Sequence, residues 1–482
     1  MPSLQTAPLE KRQGQALQRI PAPRRLLILG ALLLLSAICY GALIRFISPD
    51  DQTLVVPFVL MWLACFIPYL AACALVLLTP APEGRQLWYE LGLIVLGAVL
   101  FRGMMLPWPP NLSHDSWRYL WDARVTLNGY SPYVLAPRSP ELVHLQDNLI
   151  YGNSRFRNVP SLYPPAAQAV YVLSYLLAPS NLVFLKGIFV GFDLLSCGLI
   201  GYMLWRRGYD VRRMVLYAWC PLPIVEFATQ GHLDAMPIAV ILLFLIVAHS
   251  PRRGARVLTG VLIGIATLMK LYPIVLLLVV VRWKDWGLVL ACFVTIILGY
   301  IPYYILGHGQ IFGFFSTYIG EQGLNAGIIQ VGLQWIKNTW LLNYQTTYWI
   351  ERSVDLVVMG LTGGSILWLR WKGKLTMEAG SLILLAAVLA ISSHVFPWYT
   401  AILLALMVVD LGPIWTPKGL VATDLALISF WYLVFGALGG YFLTNTHQWL
   451  PFYILVYDVM LVILLAAAAL GFWRWRKQRV IG

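Results

Sequence analysis

Charge is what this chain has least of. Of its 482 residues only 11% are Asp, Glu, Lys or Arg, while 60% are hydrophobic. A soluble domain carries about 25% charged and about 45–50% apolar residues, so the shortage excludes a water-soluble globular protein and a disordered one. A polytopic membrane protein remains. Cysteine is scarce as well: Cys39, Cys65, Cys73, Cys197, Cys220 and Cys292 all sit inside apolar runs. None lies in a polar loop where two could meet, so neither a disulfide framework nor a zinc site is indicated. The N-terminal stretch has no small-residue cleavage site behind a short apolar core, and residues 1–25 read as a cytoplasmic tail before a retained helix. No internal repeat is present, which withholds support from an inverted-repeat transporter. The formal charge of +13 does not point to nucleic acid in such a chain; the loops that hold Lys and Arg set its topology instead.

What the sequence does have is long apolar runs, near 26–47, 54–79, 88–106, 183–205, 213–228, 235–249, 286–306, 353–371, 376–393, 398–411, 420–441 and 450–474. Each approaches the roughly 20 residues a crossing needs. The stretch 257–281 is apolar except for Lys270, has basic residues at both ends, and carries KLYP near its middle. Two short helices broken between Lys270 and Pro273 satisfy the positive-inside rule and the helix-breaking chemistry of proline. The expected fold is therefore an all-α polytopic bundle of about 12–14 transmembrane helices, a single domain over 26–474 with residues 475–482 as a second cytoplasmic tail. The thirteen-residue run 166–178 is short for a crossing and is expected to lie laterally at the exterior interface. Two long exterior loops result, 107–182 and 307–352. His114, His144, His232, His308, His394 and His447 all fall on that side, so polar chemistry concentrates there.

In the first long loop Asp115 and Asp122 stand seven residues apart, two helical turns, so both carboxylates can share one face with Arg118 and Tyr119 between them. A carboxylate just outside a span, beside His114 and under aromatic cover, can act as a general base for a hydroxyl nucleophile. The alternative is that Asp115 caps the helix that follows.

At these residues the chain resembles a family. HDSWRYLWDARVTLNGYSPY, with VPSLYPPAAQ after it, is similar to the first exterior loop of the GT-C superfamily of polyprenol-phosphate-sugar-dependent glycosyltransferases. The nearest branch is the bacterial polyprenol-phosphate-mannose-dependent mannosyltransferases. QGHLDAMPIAV at 230–240, GIATLMKLYPIVLLL at 264–278 and SSHVFPWYTAILL at 392–404 fit in the same order. The resemblance implies a GT-C-like helical bundle in which Asp115 is the catalytic base. It would take a proton from an acceptor hydroxyl that attacks the anomeric carbon of a polyprenyl-phosphate hexose, most readily mannose, with inversion. The lipid phosphate is a good leaving group that needs electrostatic stabilisation more than protonation. The short exterior loop at 229–234 offers a single acid, Asp234, where metal-dependent members hold more, so metal independence and no cofactor are expected. The resemblance further implies a bacterial plasma-membrane protein working on the periplasmic or extracellular side, both termini cytoplasmic. Its partners would be the lipid-linked donor, a glycan, glycolipid or protein acceptor, and membrane lipids, with no nucleic acid. A lipid-linked sugar transporter or flippase, or a non-catalytic subunit of the same fold, are the alternatives.

The other candidates carry paired readings. Lys270 can hold the lipid phosphate as a point charge, or snorkel, or pair with Asp193 or Glu226. Arg102, Arg157 and His394 compete for that phosphate, and arginine adds a bidentate grip. His232 and Asp234 can bind sugar hydroxyls or simply tie down a turn. His394 and Tyr399 contact the donor or anchor the interface. Tyr163 before Pro164 positions the loop or touches substrate. Tyr318, Glu321 and Lys337 in the second loop can line the acceptor side.

Overall fold

The computed structural model describes residues 21–314, 326–340, 344–412, 415–416, 419–420, 422–438, 441 and 454–481. Tyr318, Glu321 and His447 lie outside the described residues. Proline-led or Asn- and Thr-capped starts and long apolar interiors produce the main helices, α1 (Ala22–Leu43), α2 (Val55–Leu78), α3 (Arg85–Met105), α4 (Asp115–Leu127), α5 (Pro165–Leu177), α6 (Leu182–Arg206), α7 (Ala235–Ala248), α8 (Ala255–Met269), α9 (Trp286–Leu306), α10 (Ile328–Trp340), α11 (Tyr344–Trp371), α12 (Met377–Ile391), α13 (Ala401–Asp410), α14 (Ala422–Ala437) and α15 (Val459–Ile481). Among the described residues seven segments, in α1, α2, α3, α6, α9, α11 and α15, are long and apolar enough to cross a membrane, and six shorter apolar helices accompany them. The chain is an integral multi-pass membrane protein. Strand structure among the described residues is confined to an antiparallel pair of dipeptides, Trp415–Thr416 and Gly419–Leu420.

One expected crossing is broken. Over 213–228 the chain forms a 3-10 turn, a four-residue helix and a π-helical segment, Ile224–Thr229, in place of one regular span. Pro221 and Pro223 explain this, because each removes a backbone donor and its ring clashes with the preceding turn. The hairpin over 257–281 does form. Helix α8 stops at Lys270, whose backbone is extended, and a 3-10 turn over Tyr272–Leu276 reverses the chain. Arg256 then donates to the carbonyl of Val280 and pairs with Asp285, so both basic ends of the hairpin meet at one end of the bundle.

Ion pairs gather at that same end. Arg212 joins Glu90 and Asp210 at 2.6 and 2.7 Å, Arg25 lies 3.5 Å from Glu90, and Arg207 joins both Glu378 and Asp410 at 2.6 Å. These contacts tie the starts of α1, α3 and α12 to the ends of α6 and α13. The opposite helix ends, after α3 and α8 and before α7, are thereby left to form a site.

Helices α8 and α9 approach closely through glycine. A Cβ at Gly264 would lie 2.8 Å from Thr295 Cβ and 2.9 Å from the Cys292 carbonyl, and Gly260, one small-xxx-small step earlier, meets the Leu288 backbone. Because α8 carries Lys270 at its end, this packing also fixes the height of that cation. Gly264→Val is expected to cost about 3 kcal/mol through overpacking, read as a lower thermal midpoint of the detergent-solubilised protein.

Candidate active site

The cavity at the site end has a volume of about 1540 Å³. Ligand pockets usually run about 300–1,000 Å³, so this one has room for a sugar, its leaving group and part of an acceptor. Asp115 lies on its wall as the first residue of α4. His114, not Asp115, holds the helix-cap position, and no side-chain cap bond is made, so the capping alternative for Asp115 does not hold. The carboxylate instead lines the cavity, together with Tyr163. Burial pushes the Asp115 carboxyl up to about 6, with Lys270 and Tyr163 holding it down and Asp234 pushing it further up. That value suits a base working near neutral pH.

Asp234 and Lys270 complete this wall from two other elements. Asp234 begins α7 and forms an ion pair with Lys270 at the end of α8. Lys270 Nζ also stands 3.8 Å from the centroid of the Tyr399 ring. The cation that the sequence left between three readings therefore pairs with Asp234, not with Asp193 or Glu226, and still lines the cavity.

A segment running from Ser131 to Pro164 roofs the site, and Arg118 fastens it. Its Nε meets Asp122 at 2.8 Å, while Nη1 and Nη2 donate to the carbonyls of Phe156 and Val159 at 2.9 and 3.1 Å. Gln168 on α5 donates to both Asp122 and the Ser161 hydroxyl, at 3.1 and 2.9 Å. Asp122 is thus buried behind the wall as a scaffold acid, away from the cavity that Asp115 faces. Tyr119 stacks on Tyr171 at 4.5 Å and meets Tyr163 edge-on at 4.9 Å, which orients the Tyr163 hydroxyl. His114 Nδ1 lies 3.0 Å from the Asn153 carbonyl. Burial and Arg155 lower the pKa of this imidazole, so it is neutral and Nδ1 is the donor.

The remaining candidates separate into two groups. His394 and Tyr399 line the cavity, His394 Nδ1 lying 3.0 Å from the Ser393 hydroxyl. Arg157 also lines it, though its guanidinium already donates to the carbonyls of Ser154 and Gly152 and lies over Tyr151. Arg102 and His232 do not reach it. Arg102 is fully buried, 2.6 Å from Asp193 and hydrogen-bonded to the Ala98 and Ala218 carbonyls. His232 is buried against Trp398, ring centroids 3.6 Å apart, and burial with Lys270 keeps it neutral. Trp398 in turn stacks on Phe396 at 4.7 Å, and both line the cavity. Lys337 lies on α10, outside the cavity wall.

Sequence reasoning passed over Gln230, Lys186, Tyr272 and Tyr441. Tyr272 and Tyr441 line the cavity, and Tyr441 donates to the buried Glu226 at 3.3 Å. The only forewarning was Gln230 itself, a polar residue inside the QGHLD motif. Among the described residues no cluster of three His, Cys, Asp or Glu side chains converges on a metal-sized point.

Residues 162–393 match the model of glycosyltransferase family 87, a little under half of the chain. Among solved structures, ArnT from Cupriavidus metallidurans bound to undecaprenyl phosphate is similar, with 15% identity, 78% of this chain and 76% of that chain covered, and a TM-score of 0.42. No curated protein matches. The family match and the multi-pass helical architecture together support a membrane glycosyltransferase, in line with the resemblance drawn from its motifs.

Proposed function

We propose that the chain is an inverting glycosyltransferase that moves a hexose, mannose in the first instance, from a polyprenyl-phosphate donor to an acceptor hydroxyl on the exterior face of the membrane. The observation that carries this reading is Asp115. A carboxylate poised near 6 stands on the wall of a large cavity, in electrostatic contact with a lysine at the end of a membrane hairpin. In the proposed step Asp115 takes the acceptor proton as the hydroxyl oxygen bonds to the anomeric carbon. The bond from that carbon to the phosphate oxygen breaks, and its electron pair leaves with the phosphate. Charge on the phosphate grows from one to two as it departs, and Lys270 is the cation placed to meet it. Stabilising charge that develops in the transition state is commonly the largest single contribution to such a rate. Metal ions have no role in this scheme. The basic loops at the ion-paired end, with both tails, would lie in the cytoplasm.

The test is turnover of synthetic polyprenyl-phosphate hexoses by the protein in nanodiscs, with and without EDTA. The expected result is release of polyprenyl phosphate from one donor, mannose first, unchanged by EDTA and accompanied by a new glycosidic bond when an acceptor extract is added. Movement of a lipid-linked sugar across liposomes with no new glycosidic bond would overturn the reading in favour of a transporter.

A further inference from the structure

Two exterior turns must stay in register for Asp115 to face Asp234 and Lys270. Neither turn has secondary structure of its own to hold it. The 107–113 segment reads PWPPNLS, and three prolines leave it without regular hydrogen bonding. The N–H of Trp108 donates to the Met105 carbonyl, and the other three amide N–H groups of the segment are satisfied by one side chain from the other turn. Gln230, fully buried, accepts through Oε1 from the backbone N–H groups of Asn111, Leu112 and Ser113 at 3.2, 2.9 and 3.3 Å. Its Nε2 donates to Asn111 Oδ1 at 2.8 Å. Beneath it Lys186 of α6, also fully buried, donates from Nζ to the carbonyl of Trp108 at 2.5 Å and of Thr229 at 3.3 Å. The next residue, Gly231, has φ +72°, and a Cβ there would lie 2.8 Å from Lys186 Cγ and 3.0 Å from Ser116 Cβ. The turn is therefore pressed against the residue that follows Asp115.

We propose that Gln230 is a positioning residue of the reaction centre, its amide clamping residues 111–113 to the 230–234 turn so that Asp115 stands opposite Asp234 and Lys270. Gln230 does not line the cavity, so it acts through Asp115 and not on substrate. The inference rests on the reading of Asp115 as the base. A buried amide serving three consecutive N–H groups is hard to replace, because each group left unpaired costs about 1–3 kcal/mol. Yet the motif places it immediately after a π-helical segment, Ile224–Thr229, where a backbone readily re-aims a side chain.

The test uses two substitutions in the full chain, with Asp115→Asn alongside. Gln230→Leu keeps the bulk and removes every hydrogen bond. Gln230→Glu keeps the acceptor oxygens, and Asn111 can turn its amide to donate to them. For Gln230→Leu, kcat is expected to fall about 10²-fold, as for a displacement of about 1 Å at a reacting group, with KM for the lipid donor little changed. Loosening admits water to Asp115, so the acid limb of its rate profile moves down from about 6 towards the ordinary carboxylate range. Gln230→Glu is expected to recover most of kcat and to move the limb up, since it adds a negative charge nearby. The groups facing Asp115 are unchanged in both: Lys270 from α8, Asp234 from the turn, Arg118 and Tyr119 from α4, Tyr163 from the roof, Tyr171 from α5, and Tyr441.

A Gln230→Leu protein with parental kcat and acid limb would overturn the clamp, as would one that loses only thermal stability. If Gln230→Leu does not fold, Gln230→Glu decides: an unmoved acid limb overturns the proposal. Asp115→Asn separates the two levels of failure. Full activity there overturns the base assignment and the clamp's purpose with it, whereas loss there beside an unaffected Gln230→Leu overturns the clamp alone.

Discussion

Asp115→Asn is expected to lower glycosyl transfer about 10³-fold while leaving the thermal midpoint of the protein close to its parent value. The asymmetry follows from where the carboxylate sits. It makes no helix-capping bond, and it faces the cavity, so an amide of the same shape disturbs little of the fold. What it removes is the acceptor of the proton. The measurement is initial rate of polyprenyl-phosphate release at saturating donor, with a thermal melt on the same sample. Activity near the parent level in folded protein would sink the base assignment.

The same residue sets an expected pH dependence. A base must be deprotonated to act, and burial raises the Asp115 carboxyl to about 6. The rate is therefore flat above that value and falls about tenfold per pH unit below it. The limb disappears in Asp115→Asn, whose residual rate no longer depends on this group. An acid limb that persists unchanged in the variant would assign the titration to another residue.

Much of this site was legible in the sequence because its parts are local. Asp115 is marked by a carboxylate and a histidine beside an aromatic helix, and the break at Lys270 by a cation and a proline in an otherwise apolar run. The break within 213–228 was equally local, since Pro221 and Pro223 stand in plain view inside a run read as one span. What hydropathy could not deliver were the pairings. Lys270 and Asp234 are 36 residues apart and Arg102 and Asp193 are 91 apart. In both cases a cation in an apolar run had several acids within conceivable reach. Composition says that such a cation needs a partner, but only the crossing of helices says which. Gln230 was least legible of all, because its bonds go to backbone amides 117–119 residues earlier, and backbone groups leave no mark in a sequence.

Lys270→Met is expected to affect three observables, and their separation tests what the cation is for. Methionine matches its length but not its charge. Transfer is expected to fall about 10²–10³-fold, as when one preorganised donor to a developing anion is removed. The acid limb is expected to rise above about 6, since Lys270 is among the groups that hold the Asp115 carboxyl down. Stability is expected to fall by about 3–5 kcal/mol, the usual consequence of leaving one member of a buried ion pair without its partner, because Asp234 is only 3% exposed. The last effect is confined to the pair, and the first is not. Lys270→Met combined with Asp234→Asn removes both charges and should recover most of the stability, while the rate stays low because no cation faces the leaving phosphate. If the double variant regained rate as well as stability, Lys270 would serve only to neutralise Asp234, and the phosphate would have to be held by His394 or Arg157.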